Sequence, residues 1–126
     1  MVIHESAEDY LEAVLMLGEK NVAVRSIDVA AQLGYSKPSV SIAMKKLREN
    51  GYVEMDSRGY IYLTESGRKI AEDTYEKHKV ISKMLIAMGV PSDIALRDAC
   101  RMEHTVSPES FEAIKRFSAE HGFIWE

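Results

Sequence analysis

A chain of 126 residues, 46% apolar and 29% charged, has the make-up of a globular protein, one compact unit or two small ones sharing a core, and excludes disorder. Its net charge of −4 excludes a uniformly basic surface, and its single cysteine, Cys100, excludes an intrachain disulfide framework and fits a reducing cytoplasm. No basic segment followed by an apolar one opens the sequence, and the most apolar stretch, Val80 to Val90, is broken by Ser82 and Lys83 and is too short for a bilayer, so neither export nor a membrane partner is expected.

In chain order, Ser6 is placed to cap a helix whose apolar residues Tyr10, Val14 and Leu17 recur at helical spacing and which should end near Gly18. A short second helix begins after Ser26, carries Val29, Ala30 and Leu33 on one face, and stops at Gly34. Ser36 then reads as an N-cap with Pro38 tolerated in the first turn. The helix it opens turns Val40, Met44 and Leu47 inward and ends at Gly51. Here the period changes. Tyr52 to Met55 and Tyr60 to Leu63 read as strands joined by the turn Asp56-Ser-Arg-Gly59. Three helices followed by a two-stranded ribbon is the order of a winged helix-turn-helix.

Thr64 should cap a long fourth helix running to about Met88, with Thr74, His78, Ile81, Leu85 and Met88 as its inner stripe, closed by Gly89 and Pro91. A fifth helix starts after Ser92, and a sixth after Ser107, with Pro108 at the favoured first position and an end before Gly122. The fold class expected is therefore mainly α: an N-terminal winged helix-turn-helix followed by an all-helical part suited to dimerisation. Phe111, Ile114 and Phe117 of the sixth helix offer apolar surface for a homodimer.

Charge is unevenly distributed. Between Lys20 and Leu63 there are seven basic residues and four acids, a local excess of +3, and Ser36 to Arg48 holds four basic residues and no acid. A basic stripe on an acidic protein is enough to contact a short run of phosphates. Ser36 to Arg48 is thus the candidate recognition helix. Ser36, Lys37, Pro38 and Ser39, with Ile42 one turn on, would meet base edges, the hydroxyls as donors or acceptors and Pro38 and Ile42 against thymine methyls. Lys45, Lys46 and Arg58 would hold phosphates. A solvated amphipathic helix beside a hairpin is the plainer alternative for this helix taken alone.

Cys100, Glu103 and His104 lie at i, i+3 and i+4, so they emerge from neighbouring turns of one helix face beside the apolar stripe Ala95, Ala99, Met102 and Val106. Thiolate, carboxylate and imidazole form a ligand set for a divalent transition metal. A cysteine packed beside surface charges is the alternative. His78 faces inward and needs a partner, as a hydrogen-bonded core histidine or as a ligand. Asp9 and Glu12, at i and i+3 on the first helix, make a third set, or a solvated acidic face near a helix start.

Four stretches bear on these choices. Ser6-Ala-Glu-Asp-Tyr-Leu-Glu12, Leu33-Gly-Tyr-Ser-Lys-Pro-Ser-Val-Ser41, Leu63-Thr-Glu-Ser-Gly-Arg-Lys69 and Asp98-Ala-Cys-Arg-Met-Glu-His104 resemble, in order, segments of the diphtheria-toxin-repressor/manganese-transport-regulator family. That resemblance implies a winged helix-turn-helix DNA-binding domain at 1–63 and a helical metal-binding and dimerisation domain at 64–126. It places Asp9, Glu12, His78, Glu103 and His104 at ligand positions of manganese-type members. Cys100 departs from that type and matches iron-type members, whereas Asp9 departs from the iron type. Ser82 stands where a second-site carboxylate is common, and Leu96 where iron-type members carry an extra histidine. No third, SH3-like domain is expected, in keeping with the shorter manganese-regulator arrangement.

The function implied is that of a cytoplasmic, metal-responsive transcriptional repressor, with Mn(II) or Fe(II) as corepressor, other divalent transition metals substituting, and metal-homeostasis genes as targets. Its partners would be double-stranded operator DNA and a second copy of the chain, with two recognition helices entering successive major grooves ~34 Å apart. A winged-helix regulator sensing an organic ligand is one alternative, and a small metalloenzyme another. Against the enzyme, the sequence has no His-Glu-x-x-His, no phosphate-cradling glycine loop and no serine elbow.

Overall fold

The computed structural model describes residues 5–20 and 23–121. Its elements are α1 (Glu5–Lys20), α2 (Ser26–Leu33), α3 (Lys37–Glu49), β1 (Val53–Met55), β2 (Ile61–Leu63), α4 (Glu65–Ala87), α5 (Ser92–Met102) and α6 (Pro108–Glu120). The chain forms two compact units, Met1–Asp73 and Thr74–Glu126, so the division falls inside α4.

In the first unit, α1, α2 and α3 pack on one another, and α1 and α3 also meet the hairpin. Leu11, Val14, Val29, Val40, Met44, Leu47, Val53 and Ile61 form the buried core. Each such side chain removed from water contributes roughly 1.5–3 kcal/mol. The caps explain the boundaries. The Arg25 N–H donates to Asp28 Oδ2 (2.9 Å) ahead of α2, and the Ser39 N–H donates to Ser36 Oγ (3.3 Å) at the start of α3. Strands β1 and β2 pair antiparallel with Val53 opposite Leu63 and Met55 opposite Ile61. Each is one residue shorter than expected: the Tyr52 N–H donates back to the Leu47 carbonyl of α3 (2.9 Å), and the Tyr60 carbonyl closes the turn by accepting the Asp56 N–H (3.1 Å). Tyr60 instead bridges to Arg25, and the Ile61 N–H donates to the Val24 carbonyl (2.7 Å), which ties the root of the wing to the segment before α2.

Thr64 caps α4 as expected. Its Oγ accepts the Gly67 N–H (3.2 Å) and donates to the Gly51 carbonyl (2.7 Å). Gly67 is required by close approach: a Cβ there would lie 1.9 Å from the Tyr52 carbonyl oxygen.

In the second unit Val80, Ile81, Ala95, Ala99 and Phe111 are buried, and Lys115 of α6 pairs with Glu76 of α4. Several expectations are corrected. Ser6 lies inside α1 rather than capping it, and α1 continues past Gly18 to Lys20. Met88, expected on the inner stripe, is 68% exposed, because α4 ends at Ala87 and the chain turns at Gly89. Phe111 belongs to the unit's own core, which leaves Phe117, 55% exposed, as the surface aromatic of α6. Helix α5 stops at Met102, so Glu103 is its C-cap and His104 sits in the following turn.

Candidate metal centre and nucleic-acid interface

Ser36, Lys37, Pro38, Ser39, Ile42, Lys45, Lys46 and Arg58 are all exposed, the first seven at the start and along the outer face of α3 and the last at the tip of the wing. Burial of Val40, Met44 and Leu47 fixes this rotation of α3, since residues on the opposite side of a 3.6-residue repeat must then face water. Ile42, 58% exposed on an otherwise polar face, is free for an apolar contact. Ser36 Oγ donates to Ser39 Oγ (2.8 Å), which orients both hydroxyls at the N-terminus of the helix. Two further residues shape this surface and were not singled out from the sequence. The Arg25 guanidinium lies over the Tyr60 ring, 4.6 Å from its centroid, and Asp56 organises the wing turn. The Asp-x-x-Gly spacing was the signal for the second.

In the second unit His78, Cys100 and Glu103 each bring a ligand atom to within 4.8 Å of the others. His78 comes from α4, one turn before the buried Ile81, and Cys100 follows Ala99, which is fully buried on α5. His78 Nδ1 lies 3.0 Å from Glu103 Oε2 and 3.8 Å from Cys100 Sγ. On the other side of the carboxylate, His104 Nε2 lies 3.3 Å from Oε1. Helical φ and ψ persist at Glu103, whose N–H still donates to the Ala99 carbonyl (3.0 Å), so the early end of α5 does not disperse the group.

Glu103 is 1% exposed, and neither of its oxygens makes a well-aligned hydrogen bond, although two imidazole nitrogens are close. A buried carboxylate in that condition costs several kcal/mol (on the order of the penalty for an unpaired buried charge) unless positive charge is supplied. Either a protonated imidazole or a bound cation supplies it. An imidazole, a carboxylate and an exposed thiol within one cluster, with a second imidazole beside the carboxylate, suit a divalent transition metal better than calcium or magnesium. The residues present therefore fit such an ion. Asp9 and Glu12 lie on α1 in the first unit, Asp9 half-buried and Glu12 buried despite its charge. Ser82 is buried and donates to the Lys79 carbonyl (3.2 Å), while Leu96 is exposed on α5. Neither adds a ligand atom to the cluster.

A winged-helix unit with a basic reading face, joined through α4 to helices that gather histidine, cysteine and glutamate, defines the class of metal-responsive DNA-binding regulators. Residues 3–60 match the family described as the N-terminal DNA-binding domain of iron dependent repressors, and residues 64–121 match their metal binding and dimerisation domain. The transcriptional regulator MntR of Escherichia coli is 37% identical over 118 residues, 94% of this chain and 76% of its own length. The iron-dependent repressor IdeR of Mycobacterium tuberculosis is 28% identical over 106 residues, 83% of this chain and 46% of its own. Among solved structures, the manganese regulator SloR superposes with a TM-score of 0.80 at 29% identity, over 94% of this chain and 55% of that one. A manganese-dependent transcriptional repressor in complex with manganese gives a TM-score of 0.80 at 29% identity, over 94% of this chain and 53% of its own. The chain thus spans about half the length of those two structures. It belongs to the diphtheria-toxin-repressor/manganese-transport-regulator family, whose members are transcriptional regulators. Among the described residues, no helix is long and apolar enough to cross a membrane.

Proposed function

We propose that this chain is a homodimeric, cytoplasmic repressor that binds operator DNA when loaded with Mn(II) or Fe(II), and that it controls metal-homeostasis genes. The observation that carries the reading is the buried Glu103 carboxylate between His78 and His104, with the Cys100 thiol beside His78. The two matched domains, one DNA-binding and one metal-binding and dimerising, support a functional division at the end of the wing, with 1–63 reading DNA and 64–126 sensing metal.

His78, Cys100, Glu103 and His104 are proposed as ligands from the second unit, and Asp9 and Glu12 as ligands from α1. A divalent cation would supply the positive charge that the buried Glu103 carboxylate calls for. Meanwhile the chain's own groups do the reading. Ser36, Lys37, Pro38, Ser39 and Ile42 meet bases, and Lys45, Lys46 and Arg58 meet phosphates. A metal that binds more tightly to the arrangement that binds DNA would favour that arrangement, and by linkage the operator must in turn tighten the metal.

The test is duplex binding titrated with Mn(II) and Fe(II). Glu103→Ala and His104→Ala should each lose the metal-dependent gain in affinity while circular dichroism stays that of the wild type. A full response to both ions in either variant would falsify the site. No response to any metal in the wild type, with retained DNA binding, would favour a sensor of some other ligand.

A further inference from the structure

The wing turn is held from one residue. The Asp56 carboxylate accepts the Arg58 N–H (2.9 Å) and the Tyr60 N–H (3.0 Å) on Oδ1, and the Tyr62 hydroxyl (3.2 Å) on Oδ2. Its own backbone closes the turn from both sides. The Asp56 N–H donates to the Tyr60 carbonyl (3.1 Å), and its carbonyl accepts the Gly59 N–H (3.0 Å), with Gly59 at φ +83°. Every N–H from Arg58 to Tyr60 is therefore committed to Asp56. The Tyr60 and Arg58 bonds hold its carboxyl below the ordinary carboxylate range, so at neutral pH it is ionised and acts only as an acceptor.

Arg58 is placed differently at its two ends. Its backbone is fixed by Asp56, while its side chain is exposed and close enough to the same carboxylate for its charge to help lower that carboxyl's pKa. A guanidinium on a fixed backbone loses less freedom when it engages a phosphate than one on a mobile loop. The opposite effect also operates. Asp56 is an acid on the basic half of the chain, and an exposed carboxylate close to a phosphate repels it well within a Debye length of ~10 Å. Its charge works against DNA binding, while its geometry works for it.

We propose that Asp56 is a positioning residue for DNA binding: its carboxylate fixes the wing tip so that the Arg58 guanidinium is presented to a DNA phosphate. The inference rests on the proposed DNA-binding function and goes beyond it by assigning an acid to the interface. The geometric contribution outweighs the repulsion, because it fixes the backbone on both sides of Gly59, whereas the repulsion of one exposed charge is screened.

Charge and geometry separate cleanly by substitution in the full metal-loaded chain. Asp56→Asn removes the charge but keeps an oxygen able to accept both N–H groups. Asp56→Glu keeps the charge but displaces the carboxylate by a methylene. Asp56→Ala removes both. Duplex affinity and its salt dependence are measured for each, alone and combined with Arg58→Ala, with metal affinity and circular dichroism as controls.

The expected result is wild-type or tighter binding for Asp56→Asn, and about tenfold weaker binding per subunit for Asp56→Ala and Asp56→Glu, the scale of one charge-assisted contact. The latter two should lower the salt slope by about one unit per subunit, and neither should weaken binding further once Arg58→Ala is present. Should Asp56→Ala fail to fold, the Asn–Glu pair alone decides. Tighter binding in both Asp56→Asn and Asp56→Ala, with Asp56→Glu unchanged, would overturn the proposal in favour of simple repulsion. Losses that add to that of Arg58→Ala would overturn it as well. If Arg58→Ala binds like the wild type while Lys45→Ala still weakens binding, the proposal falls and the DNA-binding reading stands. If the metal-loaded wild type binds no duplex, both fall.

Discussion

Cys100 is the position at which this chain chooses between two chemistries. Its side chain is exposed, and Sγ lies 3.8 Å from His78 Nδ1 within the His78–Cys100–Glu103 cluster, which speaks against a thiol that only fills a core. Thiolate is softer than carboxylate and raises relative affinity for Fe(II), Co(II) or Zn(II), whereas the Glu103 carboxylate beside it is a hard oxygen donor that suits Mn(II). A site with both kinds of ligand should accept either ion. Cys100→Glu should shift activation of duplex binding towards Mn(II) and weaken the Fe(II) and Co(II) responses. It should also abolish the intense charge-transfer absorption that a Co(II)–thiolate bond gives the wild type. No such band in the Co(II)-loaded wild type, together with unchanged metal preference in Cys100→Ser, would remove Cys100 from the site.

At the scale of elements, the passage from wing to α4 is closely packed. Thr64 and Ser66 both donate to the Gly51 carbonyl, the Thr64 N–H donates to the Tyr52 carbonyl, and Gly67 passes against that same carbonyl. In an ordinary helix, Gly→Ala is favourable by about 1 kcal/mol. Here the added methyl meets backbone oxygen that cannot swing aside, and overpacking costs of roughly 1–3 kcal/mol reverse the sign. Gly67→Ala should therefore lower the urea midpoint, and equal or greater stability would refute the close approach. On α3, Lys45 and Lys46 point to solvent, and neutralising one that touches phosphate should reduce the salt slope of DNA binding by about one unit. Unchanged slopes for both single variants would place them off the interface. Much of this layout is legible in sequence. The Ser36 and Thr64 caps and the 3.6-residue stripe of α3 are local signals, and local signals set local structure. The end of α5 at Met102 is not legible, because no glycine or proline follows until Pro108, and helical spacing alone carries the pattern on to Val106. Nor does the sequence reveal that Asp56 serves three donors, since the same Asp-x-x-Gly spacing fits several turn geometries.

For the whole molecule, the question is what covers the apolar surface of the helical unit. Phe111 is consumed by the unit's own core, but Phe117 and Met88 are more than half exposed, and Ile86, Ile94 and Leu96 are also exposed. The region from 64 to 121 matches a dimerisation domain, so a second copy of the chain is the partner this surface calls for. A two-fold interface uses each residue twice, once from either protomer. Phe117 is 55% exposed, so covering that exposed part is worth about half of the roughly 1.5–3 kcal/mol of a fully buried phenylalanine, or about 1.5–3 kcal/mol for the two copies together. That is roughly tenfold to a hundredfold in the dimer dissociation constant. Phe117→Glu should accordingly sediment as a monomer at micromolar concentration while keeping its helical spectrum, whereas Phe111→Ala should lose stability through the core of each protomer. The monomeric Phe117→Glu variant should also bind a two-half-site operator far more weakly, because each head must then be recruited separately. A wild-type protein that is monomeric at micromolar concentration, both with and without Mn(II), would rule out the dimer, and an unaltered dimer in Phe117→Glu would move the interface to another face of the helical unit.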